Sequence, residues 1–255
     1  VIVYTDLDGT MFGPRGSFFR APDHSITLEP AKTLTDFYAA GHELVLVSGR
    51  TRAQLIEASA ILGAHGYIAE LGSLVGWDGP WKHEEMAGLG PAANDDLVEQ
   101  LLADFPGRLE YHDPWHLGHE VDVMLRGNIS QAEARAWLDA HDVAHLDLRD
   151  NGVLPPRRQT GLAESAFPVH VYHLLPQGLS KGHAVGWDLQ RRGIDPKDAV
   201  AVGDSNSDLE MAAYLGRFFL VANGAEHVAK PLADNVTVTT QPLGLGWAEA
   251  IRSVL

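Results

Sequence analysis

A set of short, unbroken apolar runs constrains this chain more than any other feature. Val1-Ile2-Val3-Tyr4-Thr5, Leu44-Val45-Leu46-Val47, Ala199-Val200-Ala201-Val202 and Phe218-Phe219-Leu220-Val221 show no alternation of polar and apolar residues. A strand with one wet face alternates, whereas a strand covered on both faces does not. Helical patterns lie between and after these runs, over Pro30–Ala40 with Gly41 as C-cap, Thr51–Leu62, Lys181–Arg192, Leu209–Leu215 and Trp247–Val254. Tyr67-Ile68-Ala69 and Val236-Thr237-Val238-Thr239 add two shorter strands. Buried strands alternating with helices predict an α/β fold: a doubly wound, Rossmann-like parallel-sheet core with helices on both faces.

The middle of the chain has another texture. Asn94–Phe105 and Ser130–His141 read as amphipathic helices, and Arg108–His112, Glu120–Leu125, Val143–Leu148 and His170–Leu175 as shorter alternating strands. This is an α+β pattern with antiparallel character. The expected organisation is a core of residues 1–78 and 174–255 interrupted by an inserted α+β domain over 79–173. The Gly- and Pro-rich stretches Gly76–Pro80 and Leu175–Gly178 are expected as its hinges. A length of 255 residues accommodates both parts.

Composition narrows the function classes. There are 34 acidic and 19 basic residues, a net charge of −15. Binding to a nucleic-acid backbone relies on Lys and Arg, so nucleic acid is not an expected partner. An anionic membrane surface would repel the chain. There are no cysteines, which excludes disulfides, thiolate metal sites and a Cys nucleophile. No apolar run reaches the ~20 residues that span a bilayer, and no basic-then-apolar leader is visible, so the expected location is the cytoplasm.

Ligands of open α/β sheets bind beyond the carboxyl ends of the strands. Three of those ends carry polar clusters: Asp6, Asp8 and Thr10 after the first strand, Ser48 and Arg50 after the second, and Asp204, Ser205, Ser207 and Asp208 after the strand at 199–202. Four carboxylates converging there without a nearby Arg or Lys would repel one another. A hard divalent cation with oxygen ligands resolves that repulsion, and Mg²⁺, which shares its shell with substrate phosphates, is the expected metal. Lys181 stands at a helix start, where the dipole disfavours a cation and so asks for an anion nearby.

Four segments carry a family resemblance. Asp6-Leu7-Asp8-Gly9-Thr10, Val47-Ser48-Gly49-Arg50, Ser180-Lys181-Gly182 and Gly203-Asp204-Ser205-Asn206-Ser207-Asp208 resemble, in order, the four motifs of the haloacid dehalogenase superfamily of phosphotransferases. The insertion between the second and third motifs resembles the C2-type cap of the Cof-like and sucrose-phosphatase-like branch. Glu70-Leu71-Gly72-Ser73 stands where that branch has an Asn-Gly-rich turn, and Ser207 where it usually has Asn. Ser48-Gly49-Arg50-Thr51-Arg52 faintly resembles the second motif of mannosyl-3-phosphoglycerate phosphatases.

The resemblance implies a Mg²⁺-dependent phosphatase that passes through an aspartyl-phosphate on Asp6. It implies Asp8 as acid and base, Ser48 and Lys181 on the phosphoryl oxygens, and a metal held by Asp6, the Asp8 carbonyl and Asp204 with Asp208 behind. Gly9, Thr10, Gly49, Arg50 and Ser207 are expected to bind substrate phosphate. The implied substrate is a small phosphorylated metabolite, a sugar phosphate or glycosyl-phosphoglycerate, chosen by the cap. A phosphomannomutase-like mutase and a non-catalytic sensor of a phosphorylated ligand are the rivals. A mutase needs cap arginines for a second phosphate, and those here are scattered; a sensor has no need to keep both Asp6 and Asp8.

Thirteen histidines are present. His112, His116 and His119 cluster around Pro114-Trp115, but their spacing fits no common zinc pattern and Pro114 breaks a shared helix. His170 and His173 lie three apart on a strand and so face opposite ways. Trp115, Arg157, Arg158 and individual cap histidines are candidate substrate readers.

Overall fold

The structure, a computed structural model, describes residues 1–154, 161–163 and 168–255. The chain forms two compact units, Val1–Met86 together with Ser180–Leu255, and Ala87–Leu179.

The first unit is built on the unbroken apolar runs. Strands β1 (Ile2–Thr5), β2 (Glu43–Val47), β3 (Gly66–Ala69), β10 (Ala199–Gly203), β11 (Arg217–Leu220) and β12 (Val236–Val238) run parallel in the order β12-β11-β10-β1-β2-β3. Every residue of β1 and β10 is buried, as strands covered on both faces require. The chain winds outward through β2 and β3 on one side and through β11 and β12 on the other. The order therefore reverses beside β1, and the loops after β1 and β10 open into the crevice of that switch point. Helix α1 (Glu29–Ala39) packs on α7 (Leu243–Arg252), and α5 (Lys181–Arg192) packs on a 3₁₀ segment, Glu210–Tyr214. Helix α2 (Arg52–Leu62) starts with a reciprocal capping box between Thr51 and Gln54 and stops at Gly63 in a left-handed conformation.

Two strands of this sheet escaped the sequence reading. β4 (Leu74–Trp77) and β5 (Lys82–Glu85) add to β3 as antiparallel neighbours, making eight strands. Gly76–Pro80, expected as a hinge, is the end of β4 and the turn of this hairpin. The chain instead leaves the first unit after Met86, and returns to it at Ser180. β5 reads Lys-His-Glu-Glu and is wholly exposed. Charge on an edge strand discourages pairing with other chains, but it also removes the apolar signal of a strand. The helix expected over Leu209–Leu215 is a short α6 (Asn206–Leu209) running into the 3₁₀ segment.

The second unit has its own sheet and core. Strands β6 (Leu109–Tyr111), β7 (Val123–Gly127), β9 (His170–Pro176) and β8 (Leu146–Val153) pair antiparallel in that order. Helices α3 (Asp95–Asp104) and α4 (Gln131–Ala140) bring Val98, Leu101, Trp137 and Leu138 into one apolar cluster with Leu125, Leu148 and Leu174 of the sheet. β8 begins three residues later than the expected Val143 because a turn bonding Leu146 N–H to Val143 C=O precedes it. Each cap helix starts on a side-chain cap, Asn94 for α3 and Ser130 for α4. Asp122 is fully buried here, with Oδ1 2.8 Å from His119 Nδ1 and Oδ2 2.6 Å from His173 Nδ1.

Candidate active site

The polar clusters that follow β1, β2 and β10 meet at one edge of the first unit's sheet, because parallel strands end on the same side. Asp6 is buried immediately beyond β1. Its backbone N–H donates to Val202 C=O of β10, which continues the ladder one residue past the strand and fixes where the side chain starts. Lys181, the first residue of α5, donates from Nζ to Asp6 Oδ1 at 2.9 Å and to Asp208 Oδ1 at 2.6 Å. The anion that the helix dipole asked for is thus present twice. Burial alone would depress the Lys181 ammonium, but Asp208 and Asp6 hold its pKa above the ordinary lysine range.

Asp208 is an anchor as much as a charge. Its Oδ2 accepts from the Ser205 hydroxyl at 2.6 Å and from the Ser205 and Asp204 backbone N–H groups at 3.0 and 3.1 Å. Both of its oxygens are therefore engaged. Asp204 accepts from the Thr10 hydroxyl at 3.0 Å, tying the loop after β10 to the loop after β1. Asn223, beyond β11, donates to Gly9 C=O at 2.8 Å and lies 3.5 Å from Asp204 Oδ2. Gly9 has φ +89°, and a Cβ there would lie 2.3 Å from Asp204 Oδ2, so only glycine lets the two loops meet.

The second loop is held from below. Ser48 is buried, and its hydroxyl oxygen accepts from the Arg50 backbone N–H at 3.2 Å, leaving its proton free to donate. Gly49 lies in the same loop. The Glu70-Leu71-Gly72 turn bonds back to it, through Leu71 N–H to Ser48 C=O and Glu70 N–H to Arg50 C=O. All three turn residues have positive φ, which explains why an Asn-Gly-rich sequence suits this place; Glu70 and Leu71 adopt it against their preference. A Cβ on Gly72 would lie 2.1 Å from Ser180 C=O, so this turn sets the second loop against the start of α5. Arg50 reaches across to Asp8, with Nε 2.6 Å from Oδ2 and Nη2 2.7 Å from Oδ1.

Thus the structure brings together Asp6, Asp8, Gly9, Thr10, Ser48, Gly49, Arg50, Lys181, Asp204 and Asp208. Ser207 Oγ lies 2.9 Å from Ser205 Oγ. One expectation is corrected: the carboxylates are not without basic neighbours, since Lys181 and Arg50 are both bonded into the cluster. Asn223 is not among the expected site residues, and Ser205 is expected only as a member of its polar cluster, without a role. The Asn-Gly at the end of β11 was the available signal for the first, and the capping pattern Ser205-x-x-Asp208 for the second. Of the candidate substrate readers in the second unit, Trp115 is exposed and His112 is buried, while Arg157 and Arg158 lie outside the described residues.

The charge balance is still unresolved by protein alone. Four carboxylates against one lysine and one arginine leave two negative charges in excess. Burial first, and then the neighbouring carboxylates, push the Asp6 carboxyl well above its usual range despite Lys181. Burial, then Asp208, pushes Asp204 up to about 7. Asp6 Oδ2 is buried and has no hydrogen-bond partner among the described residues. Carboxylate oxygens of Asp6, Asp204 and Asp208 lie within 4.8 Å of one another. An all-oxygen donor set, two surplus negative charges and an orphaned buried oxygen fit a hard divalent cation.

Fold and cluster together define a class, that of doubly wound α/β proteins which gather acidic side chains at the switch point of the sheet. Residues 164–248 match the model of the haloacid dehalogenase-like hydrolase family. A phosphoglycolate phosphatase of Methanopyrus kandleri is 25% identical over 257 residues, covering 100% of this chain and 97% of the relative. Solved structures share the fold: a subclass IIB sugar phosphatase of the superfamily (TM-score 0.66, 17% identity, 99% of this chain and 98% of the other) and the sucrose-phosphatase of Synechocystis (TM-score 0.62, 16% identity, 99% and 97%). Over residues 164–248 the chain is thus similar to the haloacid dehalogenase-like hydrolases, and over its whole length to a protein named as a phosphatase.

Proposed function

We propose that the chain hydrolyses the phosphate monoesters of small metabolites, with Asp6 as nucleophile and Mg²⁺ as cofactor. The observation that carries this reading is the Asp6 carboxyl, held by Lys181 through Oδ1 while Oδ2 is buried without a hydrogen-bond partner among the described residues. A carboxylate fixed through one oxygen and free through the other is oriented for attack.

Asp6 forms the new bond to phosphorus as the ester bond breaks, and the departing electron pair goes to the leaving oxygen, which takes a proton from Asp8. Water then attacks the phosphorus of the aspartyl-phosphate, Asp8 takes its proton, and phosphate leaves with Asp6 restored. Ser48 and Lys181 donate to the phosphoryl oxygens in both halves, where positioning and charge supply most of the rate. Thr10 and Asn223 keep Asp204 and the Gly9 carbonyl in place. Asp6, the Asp8 carbonyl and Asp204 would hold magnesium, with Asp208 steering Lys181 rather than offering a free oxygen. Bound magnesium would neutralise the attacking carboxylate and the phosphoryl group together.

Relatives named phosphoglycolate phosphatase put phosphorylated carboxylates beside sugar phosphates as substrates to try. The test is phosphate release from a panel of both kinds, with and without Mg²⁺, by wild type and Asp6→Asn. Release that requires Mg²⁺ and is lost in Asp6→Asn is the expected result. Full activity in Asp6→Asn removes the nucleophile assignment. Isomerisation of a sugar phosphate without release indicates a mutase, and binding without any turnover a sensor.

A further inference from the structure

The sheet of the first unit ends at β5, an edge whose charges are ordered. β5 is the last strand in the sheet order and pairs with β4, and all four of its residues, Lys82-His83-Glu84-Glu85, are exposed. The bonds of an antiparallel ladder join residues directly opposite, at alternate positions. Met86 N–H donates to Ser73 C=O at 2.8 Å, so, counting back in steps of two, Glu84 and Lys82 turn their backbone groups to β4. His83 and Glu85 turn theirs outward, and present the open half of a ladder.

We propose that β5 pairs antiparallel with β5 of a second copy of the chain, about a two-fold axis at His83, and so joins two sheets into one. Such an axis has to put outward-turned residues opposite one another, which leaves three centres. On Glu84 the axis sets Glu84 against its own copy, and on Glu85 it sets Glu85 against its own copy; both bring like charges together. On His83 it sets Lys82 against Glu84 twice, with two imidazoles facing each other at the axis. In that register Lys82 and Glu84 form the non-hydrogen-bonded pairs, in which side chains approach most closely. Trp81, one residue before the strand and 81% exposed, comes opposite Glu85 at each end and gives the contact an apolar flank of a kind enriched in interfaces. Lys82 pairs with Asp78 at 3.1 Å within its own hairpin, but both side chains are more than half exposed, and such a pair is cheap to exchange. Charge on an edge keeps off strands that are neutral or of matching sign. It admits a strand whose signs oppose it where the two face, and in this register that strand is the chain's own, as a two-fold contact requires.

The test is the mass in solution by light scattering, from about 1 µM to about 1 mM, of the full chain and of its Lys82→Glu, Glu84→Lys and doubly substituted variants. Wild type is expected to rise towards twice the chain mass. Each single variant opposes like charges at both pairs, and its dissociation constant is expected to be higher by at least about 10-fold. The double variant exchanges the two signs and should dimerise as wild type does. An equimolar mixture of the two single variants should also associate, since one copy then presents two acids and the other two lysines. Association in that mixture excludes misfolding as the reason either variant stays monomeric alone. A wild type that is monomeric throughout overturns the inference and leaves the edge to a strand of other chemistry. So does a dimer that both single variants keep, or a loss that neither the double variant nor the mixture restores.

Discussion

Lys181 is enclosed almost completely, and an unpaired ammonium in such a place would cost several kcal/mol. Its two carboxylate partners repay that cost and in return are aimed by it. The same reciprocity governs Asn223, which binds the Gly9 carbonyl with its amide N–H and the Leu243 backbone N–H with its oxygen. Side chains that orient the neighbours of a metal typically tune its affinity by 10- to 100-fold when removed. Asn223→Ala is therefore expected to raise the Mg²⁺ concentration for half-maximal activity by about that factor, read from a magnesium titration at saturating substrate. An unchanged titration would make Asn223 a loop tie only. Asp6, Asp8, Ser48, Lys181 and Asp204 were legible in the sequence because each sits at a strand end or helix start inside a dense polar motif. Asn223 was not, because a single Asn-Gly after a strand is also an ordinary turn. The Asp8–Arg50 bond was illegible for another reason: it joins residues 42 positions apart through side-chain geometry that no spacing encodes.

At the scale of elements, the site depends on one turn. Glu70-Leu71-Gly72 is bonded to the loop after β2 and touches the start of α5, so it relates Ser48 to Lys181. Gly72→Ala would drive a Cβ to 2.1 Å from Ser180 C=O, whereas at Gly41, also left-handed, nothing lies within 4 Å. Gly41→Ala should cost about 1 kcal/mol in urea unfolding with kcat intact. Gly72→Ala should cost several times more and lower kcat at least ~10-fold, since Lys181 moves with its backbone.

The second unit makes an independent prediction. Burial would raise the Asp122 carboxyl, but His173 and His119 outweigh it and hold the pKa at about 2, below the ordinary 3.8. A depressed carboxyl stabilises the folded form above the unfolded pKa and loses that contribution as pH falls through the folded one. The contribution, on the order of 2 kcal/mol, should be complete above about pH 4 and vanish towards pH 2. Asp122→Asn should flatten the stability profile in that window. An unaltered acid limb would show that the unit's acid sensitivity lies elsewhere. The parallel strands and both cap helices were legible as elements because their patterns are set by burial and capping. β5 was not, because an exposed edge strand is under no pressure to look apolar.

For the molecule as a whole, a net charge of −15 looks ill suited to an anionic substrate. The structure answers locally: Lys181 and Arg50 offset two of the four site carboxylates, and the remaining two charges match one divalent cation. The surplus elsewhere acts only through the screened long-range field. No helix among the described residues is long and apolar enough to cross a membrane. The central claim, that a phosphoryl group passes through Asp6, can be read chemically. An acyl phosphate is reduced by borohydride, which turns the aspartate that carried it into homoserine. Wild type quenched during steady-state turnover of phosphoglycolate or a sugar phosphate with Mg²⁺, reduced, digested and sequenced by mass spectrometry should show homoserine at position 6 and aspartate at position 8. Aspartate unchanged at position 6 in an enzyme that is releasing phosphate, or homoserine at position 8 instead, would contradict the assignment of Asp6 as the nucleophile.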